Sequence, residues 1–333
     1  MPAAPALSTI RDAQKLLSAY LPVTPLVACP ALNRGNVEVH LKLETVLPTN
    51  SFKPRGALYA LATTLHRRVI DEVIASSTGN HGAAVAFAAK TLGIRATIFL
   101  PANANPVKRQ RIADLGASIV EAGGTDLAHA FLAANEYALR PGVYFLNDAT
   151  DPELTAGPAT IGLEILAQLP DVAAVYVPMG DTALIRGLAA AVKQSDQRVQ
   201  VIGVQAERAP SYYLSWKENR PVPTDTCDTI ADGLATRTPE PENIRAIREL
   251  VDDIMLVSED EMLQAIHLLH RNANVIAEPA GSAATAAFLK QPFARGPVAL
   301  LVTGGNLTDP LRLRAGLPER GFQPASDATQ PPE

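Results

Sequence analysis

Val73-Ile74-Ala75-Ser76-Ser77-Thr78-Gly79-Asn80-His81-Gly82 runs from an apolar stretch into a small polar loop, and an alanine-rich segment, Ala83 to Thr91, follows directly. The apolar run reads as a buried strand, the Ser/Thr/Gly/Asn cluster as a turn and the alanines as helix. Strand, loop and helix in that order are half of a βαβ unit. The pattern repeats on both sides. Upstream, Val37 to Leu43 alternates with period two, and Ser8 or Thr9 is expected to cap a helix through Gln14, Leu17 and Tyr20 that Pro22 stops. Downstream, Ala96–Leu100, Ser118–Val120 and Val143–Leu146 read as strands, with helices over Val107–Leu115 and Asp126–Leu139 between them. The second half gives helices over Thr160–Gln168, Ala183–Lys193 and, after a Ser258 cap, Glu259–Arg271. Its strands fall at Ala174–Val177, Val199–Val204 and Val298–Val302, and the tail from Ala325 reads as frayed. This alternation predicts an α/β fold built on open parallel sheets.

At 333 residues the chain is long enough for two domains or one large α/β unit. Hydrophobic residues at 47% against 19% charged fit a soluble globular protein rather than a disordered one. A net charge of −5 argues against a nucleic-acid partner, because phosphate binding wants a basic face. Cys29 and Cys227 sit in no CxxC or Cys/His cluster, which disfavours a disulfide framework or a zinc site and makes a reducing compartment the default. Met1 to Ser8 lacks a basic stretch followed by an apolar core, and no apolar run is long enough to span a bilayer. A cytoplasmic protein with no membrane partner is expected.

Four segments carry chemistry. In Asn50-Ser51-Phe52-Lys53-Pro54-Arg55-Gly56-Ala57, an amine follows a flat aromatic ring and precedes a fixed φ and small residues where a helix can begin. Such an amine attacks aldehydes once desolvation or a nearby cation lowers its pKa, and Arg55 is the expected cation. The Ser76–Gly82 loop lies beyond the carboxyl end of a strand, where open α/β sheets bind ligands, and its helix start offers free N–H groups to an anion. Val177-Pro178-Met179-Gly180-Asp181-Thr182-Ala183-Leu184 is a second strand-to-helix turn suited to a phosphate dianion. Asp181 would repel that dianion, so it is expected to point away or cap the helix, with Thr182 donating a hydroxyl. After the last strand, Gly304 and Gly305 in Thr303-Gly304-Gly305-Asn306 let the backbone pass close to a flat ligand.

Together these segments resemble the fold-type II pyridoxal-phosphate (PLP) enzymes, in particular the threonine/serine dehydratase and serine racemase branch. Leu41-Lys42-Leu43-Glu44 with Pro48-Thr49 matches the lead-in to that branch's lysine motif, and matches run from Thr24-Pro25-Leu26 to Asn306. The resemblance implies a tryptophan synthase β-like fold of two open parallel-sheet domains, a small one over 50–150 inserted into a large PLP-binding one formed by 1–49 and 151–333. It implies that Lys53 carries PLP as a Schiff base with Phe52 against the cofactor. Asn80 would contact the phenolic oxygen, and Ser77, Thr78, Gly79 and His81 would grip the substrate carboxylate. Met179, Gly180, Asp181, Thr182 and Ala183 stand where the family has a glycine run cradling the phosphate, of which only Gly180 is kept. Thr303 would face the pyridine nitrogen, and Gly233 and Glu278, from Thr229–Ala235 and Ala277–Gly281, would sit near the ring. Asp232 reads equally as a turn cap. Gln205 and Ser211 replace the acids that bind a cation in some members, so no metal is expected.

The implied reaction is β-elimination: a substrate amine displaces Lys53, the freed amine removes the Cα proton, and a β-hydroxyl leaves, the cofactor phosphate being the acid proposed for the family. A neutral hydroxyl at Thr303 cannot keep the ring nitrogen protonated, which weakens the electron sink and favours elimination over transamination. The expected products are a 2-oxo acid and ammonia from a threonine- or serine-type substrate, with a phenylserine-like compound or a hydroxyectoine breakdown product as variants. Thr78, where racemases of this branch have Ser, argues against racemisation. A racemase, a threonine-synthase-like enzyme and a non-catalytic PLP- or amino-acid-binding protein remain alternatives. The resemblance further implies a homodimer, and no regulatory domain is read after Asn306.

Overall fold

The computed structural model describes residues 4–319 apart from Thr78, 103–105, 124–126 and Ala294. The Thr78 assignment and the tail from Ala325 lie outside the described residues. In chain order the strands are β1 (Leu26–Ala28), β2 (Val39–Leu43), β3 (Glu72–Ser76), β4 (Arg95–Pro101), β5 (Ser118–Ala122), β6 (Val143–Phe145), β7 (Ala174–Pro178), β8 (Gln200–Ala206), β9 (Asp253–Val257) and β10 (Val298–Val302). The first helices are α1 (Leu7–Leu17), α2 (Lys53–Arg67), α3 (Asn80–Leu92), α4 (Pro106–Asp114), α5 (Leu127–Tyr137) and α6 (Ala156–Gln168). They are followed by α7 (Ala183–Ser195), α8 (Ser211–Glu218), α9 (Pro241–Leu250), α10 (Glu259–Ala273), α11 (Pro279–Lys290) and α12 (Asp309–Arg314).

Two open sheets result. One has the order β1-β2-β10-β7-β8-β9, the other β5-β4-β3-β6. All pairings are parallel except β1 with β2, where Val27 faces Leu41 across an antiparallel edge. β7 and β10 are buried along their whole length, as strands covered on both faces by helices must be, and their sequences accordingly read as unbroken apolar runs. Among the described residues no helix is long and apolar enough to cross a membrane.

The α/β expectation holds, with differences at particular elements. α1 starts after Ala6 with no side-chain cap and stops at Leu17, so Ser8 and Thr9 lie inside it. α10 opens as expected: Ser258 Oγ accepts from the Glu261 N–H while the Glu261 carboxylate accepts from the Ser258 N–H.

Arg55 departs furthest from expectation. It does not act as the cation beside Lys53. Its guanidinium turns into the interior, Nε donating to Glu44 Oε2 at 2.8 Å and Nη1 to Glu164 Oε1 at 2.6 Å. Lys42 Nζ donates to Glu164 Oε2 at 2.6 Å and to the Thr24 carbonyl at 2.8 Å, and the Thr24 hydroxyl donates to Glu44 Oε1 at 2.6 Å. Two cations and two anions thus tie β2, α2 and α6 together out of water, and α2 is the helix that begins at Lys53.

Close backbone contacts fix the neighbouring helices. A Cβ at Gly187 on α7 would lie 2.2 Å from the Thr155 carbonyl oxygen, and one at Gly157 on α6 would lie 2.2 Å from that of Arg55. Backbone cannot yield as a side-chain tip does. Gly187→Ala is therefore expected to destabilise the fold by about 1–3 kcal/mol, as an overpacked core site does. Urea unfolding checks it, and an unchanged midpoint would mean that α6 and α7 move apart freely.

Candidate active site

A cavity of about 780 Å³ opens where β3, β7 and β10 end and α3, α7 and α11 begin. Parallel strands all end at one edge, so this is where loops from distant parts of the chain converge. The cavity gathers Phe52, Lys53, Ser77, Gly79, Asn80, His81, Gly180, Asp181, Thr182, Ala183, Gly233, Glu278 and Thr303, which the sequence singles out. Met179 is not brought there. Its side chain is buried in the core among Ile161, Val177 and Ile185, and its N–H donates to the Val204 carbonyl, because alternation along the strand end turns it away.

Lys53 is placed by the last strand of the chain. The Phe52 N–H donates to the Thr303 carbonyl at 2.9 Å, and Ser51 bridges Gly304. Its amine lies 5.5 Å from the centre of the Phe52 ring and donates to Asp148 Oδ2 at 2.8 Å. Asp148 went unread in the sequence, since a lone Asp after a strand has no signature beyond that of a turn residue. Burial alone pulls the Lys53 amine down, but the charge and hydrogen bond of Asp148, with Asp181 and Glu278, overcome it and leave the pKa raised. The sequence expectation of a lowered pKa is thus reversed, because a carboxylate rather than Arg55 is the neighbour. Only a neutral amine attacks an aldehyde, so capture of PLP by apoprotein is expected to quicken as pH rises. Asp148→Asn should move that rise to lower pH. Absorbance-monitored capture across a pH series measures it, and coincident profiles for the two proteins would contradict the pairing.

Asp181 does not cap α7. Thr182 is the N-cap, with φ 69° and no side-chain cap bond, and Asp181 Oδ1 accepts from Thr236 Oγ1 at 3.0 Å. Burial first and the Asp148 carboxylate second push Asp181 up to about 6, partly offset by Lys53. Arg186, one turn into α7, is buried and donates from Nε to the Thr182 hydroxyl oxygen at 3.1 Å. A cation therefore stands under the turn that holds the extra acid. Asp232 opens a short 3₁₀ turn behind Ala231, its backbone carbonyl accepting from the Ala235 N–H.

Asn80 is clamped on both sides. Its Nδ2 donates to Glu278 Oε1 at 2.6 Å, and its Oδ1 accepts from Asn306 Nδ2 at 2.5 Å. His81 lies 2.9 Å through Nε2 from the Leu146 carbonyl oxygen, and burial lowers its pKa. A carbonyl only accepts, so Nε2 carries the hydrogen. Nδ1, which has no partner among the described residues, then presents a lone pair. A ring in that state cannot donate to a carboxylate, which corrects the role expected for His81. The Gly79 N–H donates to Ser77 Oγ at 3.2 Å, setting the loop ahead of α3. Arg111, unforeseen in the sequence, brings a second cation to the cavity and donates to the Thr49 carbonyl.

The residues suit a flat aldehyde-bearing phosphate. Lys53 offers the amine, Thr303 a neutral hydroxyl, and the start of α7 its unpaired N–H groups and dipole. At Gly180 a Cβ would come 2.1 Å from the Gly233 carbonyl oxygen, so only glycine lets the two loops close over this end. Ser76 Oγ, buried at the cavity wall, has no partner among the described residues. Among those residues, too, no group of three or more His, Cys, Asp or Glu is arranged to hold a metal.

The chain is similar to known proteins over most of its length. Residues 17–304 match the family described as "Pyridoxal-phosphate dependent enzyme". The chain is 36% identical over 303 residues to an L-threonine ammonia-lyase of Thermotoga maritima, covering 90% of this chain and 75% of that one. It is 34% identical over 310 residues to the catabolic L-threonine dehydratase TdcB of Staphylococcus aureus, covering 90% and 89%. Among solved structures, a T.th. threonine deaminase superposes with a TM-score of 0.86 at 32% identity, covering 91% and 99%. Maize serine racemase superposes at 0.88 with 25% identity, covering 94% and 97%. The chain belongs to the pyridoxal-phosphate dependent enzyme family, as a fold-type II lyase of the threonine/serine dehydratase branch.

Proposed function

We propose that this enzyme removes water from a β-hydroxy-α-amino acid of the threonine or serine type and releases a 2-oxo acid and ammonia. The observation that carries the reading is the Lys53 amine held at the Thr303 end of the cavity by backbone pairing. Bound PLP would acidify the substrate Cα–H by drawing electrons into its ring. Lys53 would tether the cofactor and later take the Cα proton. The N–H groups at the start of α3, Ser77 and Arg111 would hold the substrate carboxylate, the α7 start with Thr182 and Ala183 the cofactor phosphate, and Asn80 the ring oxygen. Thr303, being neutral, would leave the ring nitrogen unprotonated and so direct the reaction to elimination. Glu278 and Gly233 would border the ring.

A homodimer, with residues 50–150 as a small domain inserted between 1–49 and 151–333, and a cytoplasmic location belong to the same reading. A carbonyl-reagent assay for 2-oxo acid over serine, threonine and β-aryl serines tests it. Release from at least one is expected; inversion of configuration without release would replace the lyase with a racemase.

A further inference from the structure

The Lys53 amine stands among more negative charge than a tether needs. Asp148 accepts from it at 2.8 Å, and the carboxylates of Asp181 and Glu278 act on the same nitrogen from other loops. The Asp148 side chain, 26% exposed, lines the cavity, and its turn is fixed from several directions. Asn147 Oδ1 accepts from the Ala149 N–H at 2.9 Å, and the Asn147 carbonyl accepts from the Asp151 N–H at 3.0 Å. The Ala149 carbonyl accepts from Arg186 Nη2 at 3.3 Å and Asn243 Nδ2 at 3.2 Å. The carboxylate therefore keeps its place and, beside a cation, its charge, whichever cation that is.

An uncharged acceptor stands near it. His81 is 4% exposed and lines the same cavity. Its Nε2–H is engaged by the Leu146 carbonyl, so Nδ1 keeps a lone pair with no partner among the described residues. His81 and Asp148 are close enough for each to shift the other's proton affinity. A buried acceptor without a donor costs free energy, which a ligand bringing that donor recovers. Two acceptors, one of them charged, suit an ammonium, which carries three donors and accepts nothing. In this structure the Lys53 ammonium meets Asp148. Once that nitrogen is committed to a cofactor aldehyde, another cation can take its place.

We propose that Asp148, with His81 beside it, recognises a second ammonium on the substrate side chain. The preferred substrate is then a β-hydroxy-α-amino acid that carries an amine beyond its hydroxyl-bearing carbon. The proposal rests on the reading of the chain as a β-eliminating lyase. A general base stands about 2.6–3.2 Å from the atom whose proton it takes, which sets the substrate Cα against Lys53 Nζ. Asp148 Oδ2 is one further hydrogen bond, 2.8 Å, from that nitrogen, and a side chain reaching past Cβ covers a gap of that size. The substrate's own α-amine is taken up by the cofactor, so an ammonium at Asp148 comes from the side chain. Arg111 and the start of α3 answer the α-carboxylate, which leaves the two charges of the side chain and the carboxylate sorted to different walls.

Two pairs of compounds test it. γ-Aminothreonine and β-hydroxynorvaline have one shape, a terminal ammonium in the first standing where the second has a methyl. Wild-type holoenzyme is expected to release ammonia with kcat/KM about 10–100-fold higher from the first, the range of one hydrogen bond to a charged group. Asp148→Asn should bring that ratio to near one. α,γ-Diaminobutyrate and norvaline repeat the comparison without a hydroxyl to lose, so their absorbance titration into holoenzyme reads binding alone. The diamino acid should bind about tenfold tighter or more to wild type, and no tighter than norvaline to the variant. A ratio that Asp148→Asn leaves unchanged overturns the proposal. So does equal binding of diaminobutyrate and norvaline by wild type, which decides the matter even if the variant fails to hold cofactor. A wild type that prefers the diamino acid yet releases ammonia from no β-hydroxy amino acid sinks the lyase reading instead.

Discussion

Lys53→Ala is expected to fold normally and to lose at least about 10³-fold in 2-oxo acid release, because the proposed covalent tether and Cα base vanish together. The side chain does little for the fold. It starts α2, where alanine is well tolerated, and its partner Asp148 is part-exposed, so water can solvate that carboxyl when the ammonium is gone. The catalytic loss should therefore come without a shift in the thermal midpoint. Borohydride reduction followed by peptide mapping locates the cofactor independently of turnover. Wild type should yield one pyridoxyl label at position 53, and a label on any other lysine would remove the basis of the proposed mechanism.

The second large effect concerns stability. Glu164→Ala removes the carboxylate that Lys42 and Arg55 share inside the protein, leaving Glu44 to face both cations. Burial opposes ionisation of Glu164, yet the Arg55 hydrogen bond, the Arg55 charge and Lys42 keep its pKa below the usual range. A deleted partner in such a cluster leaves an uncompensated buried charge and costs about 3–5 kcal/mol. With an unfolding entropy of roughly 2 cal/mol/K per residue over 333 residues, the midpoint should fall by about 4–7 °C in calorimetry. The sign with pH follows from the lowered pKa. The stabilisation is present above the ordinary glutamate range and is lost as pH falls through the folded-state value. In acid the gap between wild type and variant should close, and a gap independent of pH would mean that Glu164 is not ionised.

How much of this was legible in the sequence depends on whether a local pattern carried the information. β10, Val298–Val302, appears at its exact bounds in the sequence because five apolar residues between turns have no other reading. α11 escaped because its Ala, Gly, Ser and Thr residues are buried on nearly every side, leaving no polar face to set a period. β1, three residues on an antiparallel edge, is too short to alternate visibly. At the site, the loops that meet ligands through backbone were readable from glycines and helix starts. The charges were not. Arg55 stands two residues from Lys53 in the chain yet points into the interior, whereas Asp148, some ninety residues away, touches the amine. Spacing predicts neighbours within an element but says nothing about which loop tips converge on one edge of a sheet.

The pairing of Phe52 with Thr303 has a consequence for biosynthesis. The Lys53 amine near the beginning of the chain and the Thr303 hydroxyl near its end are registered by one short stretch of backbone, so the proposed cofactor pocket is not assembled while β10 is still on the ribosome. Chains released early should emerge unable to retain the vitamin, which makes holoenzyme formation a built-in check that translation has run to completion.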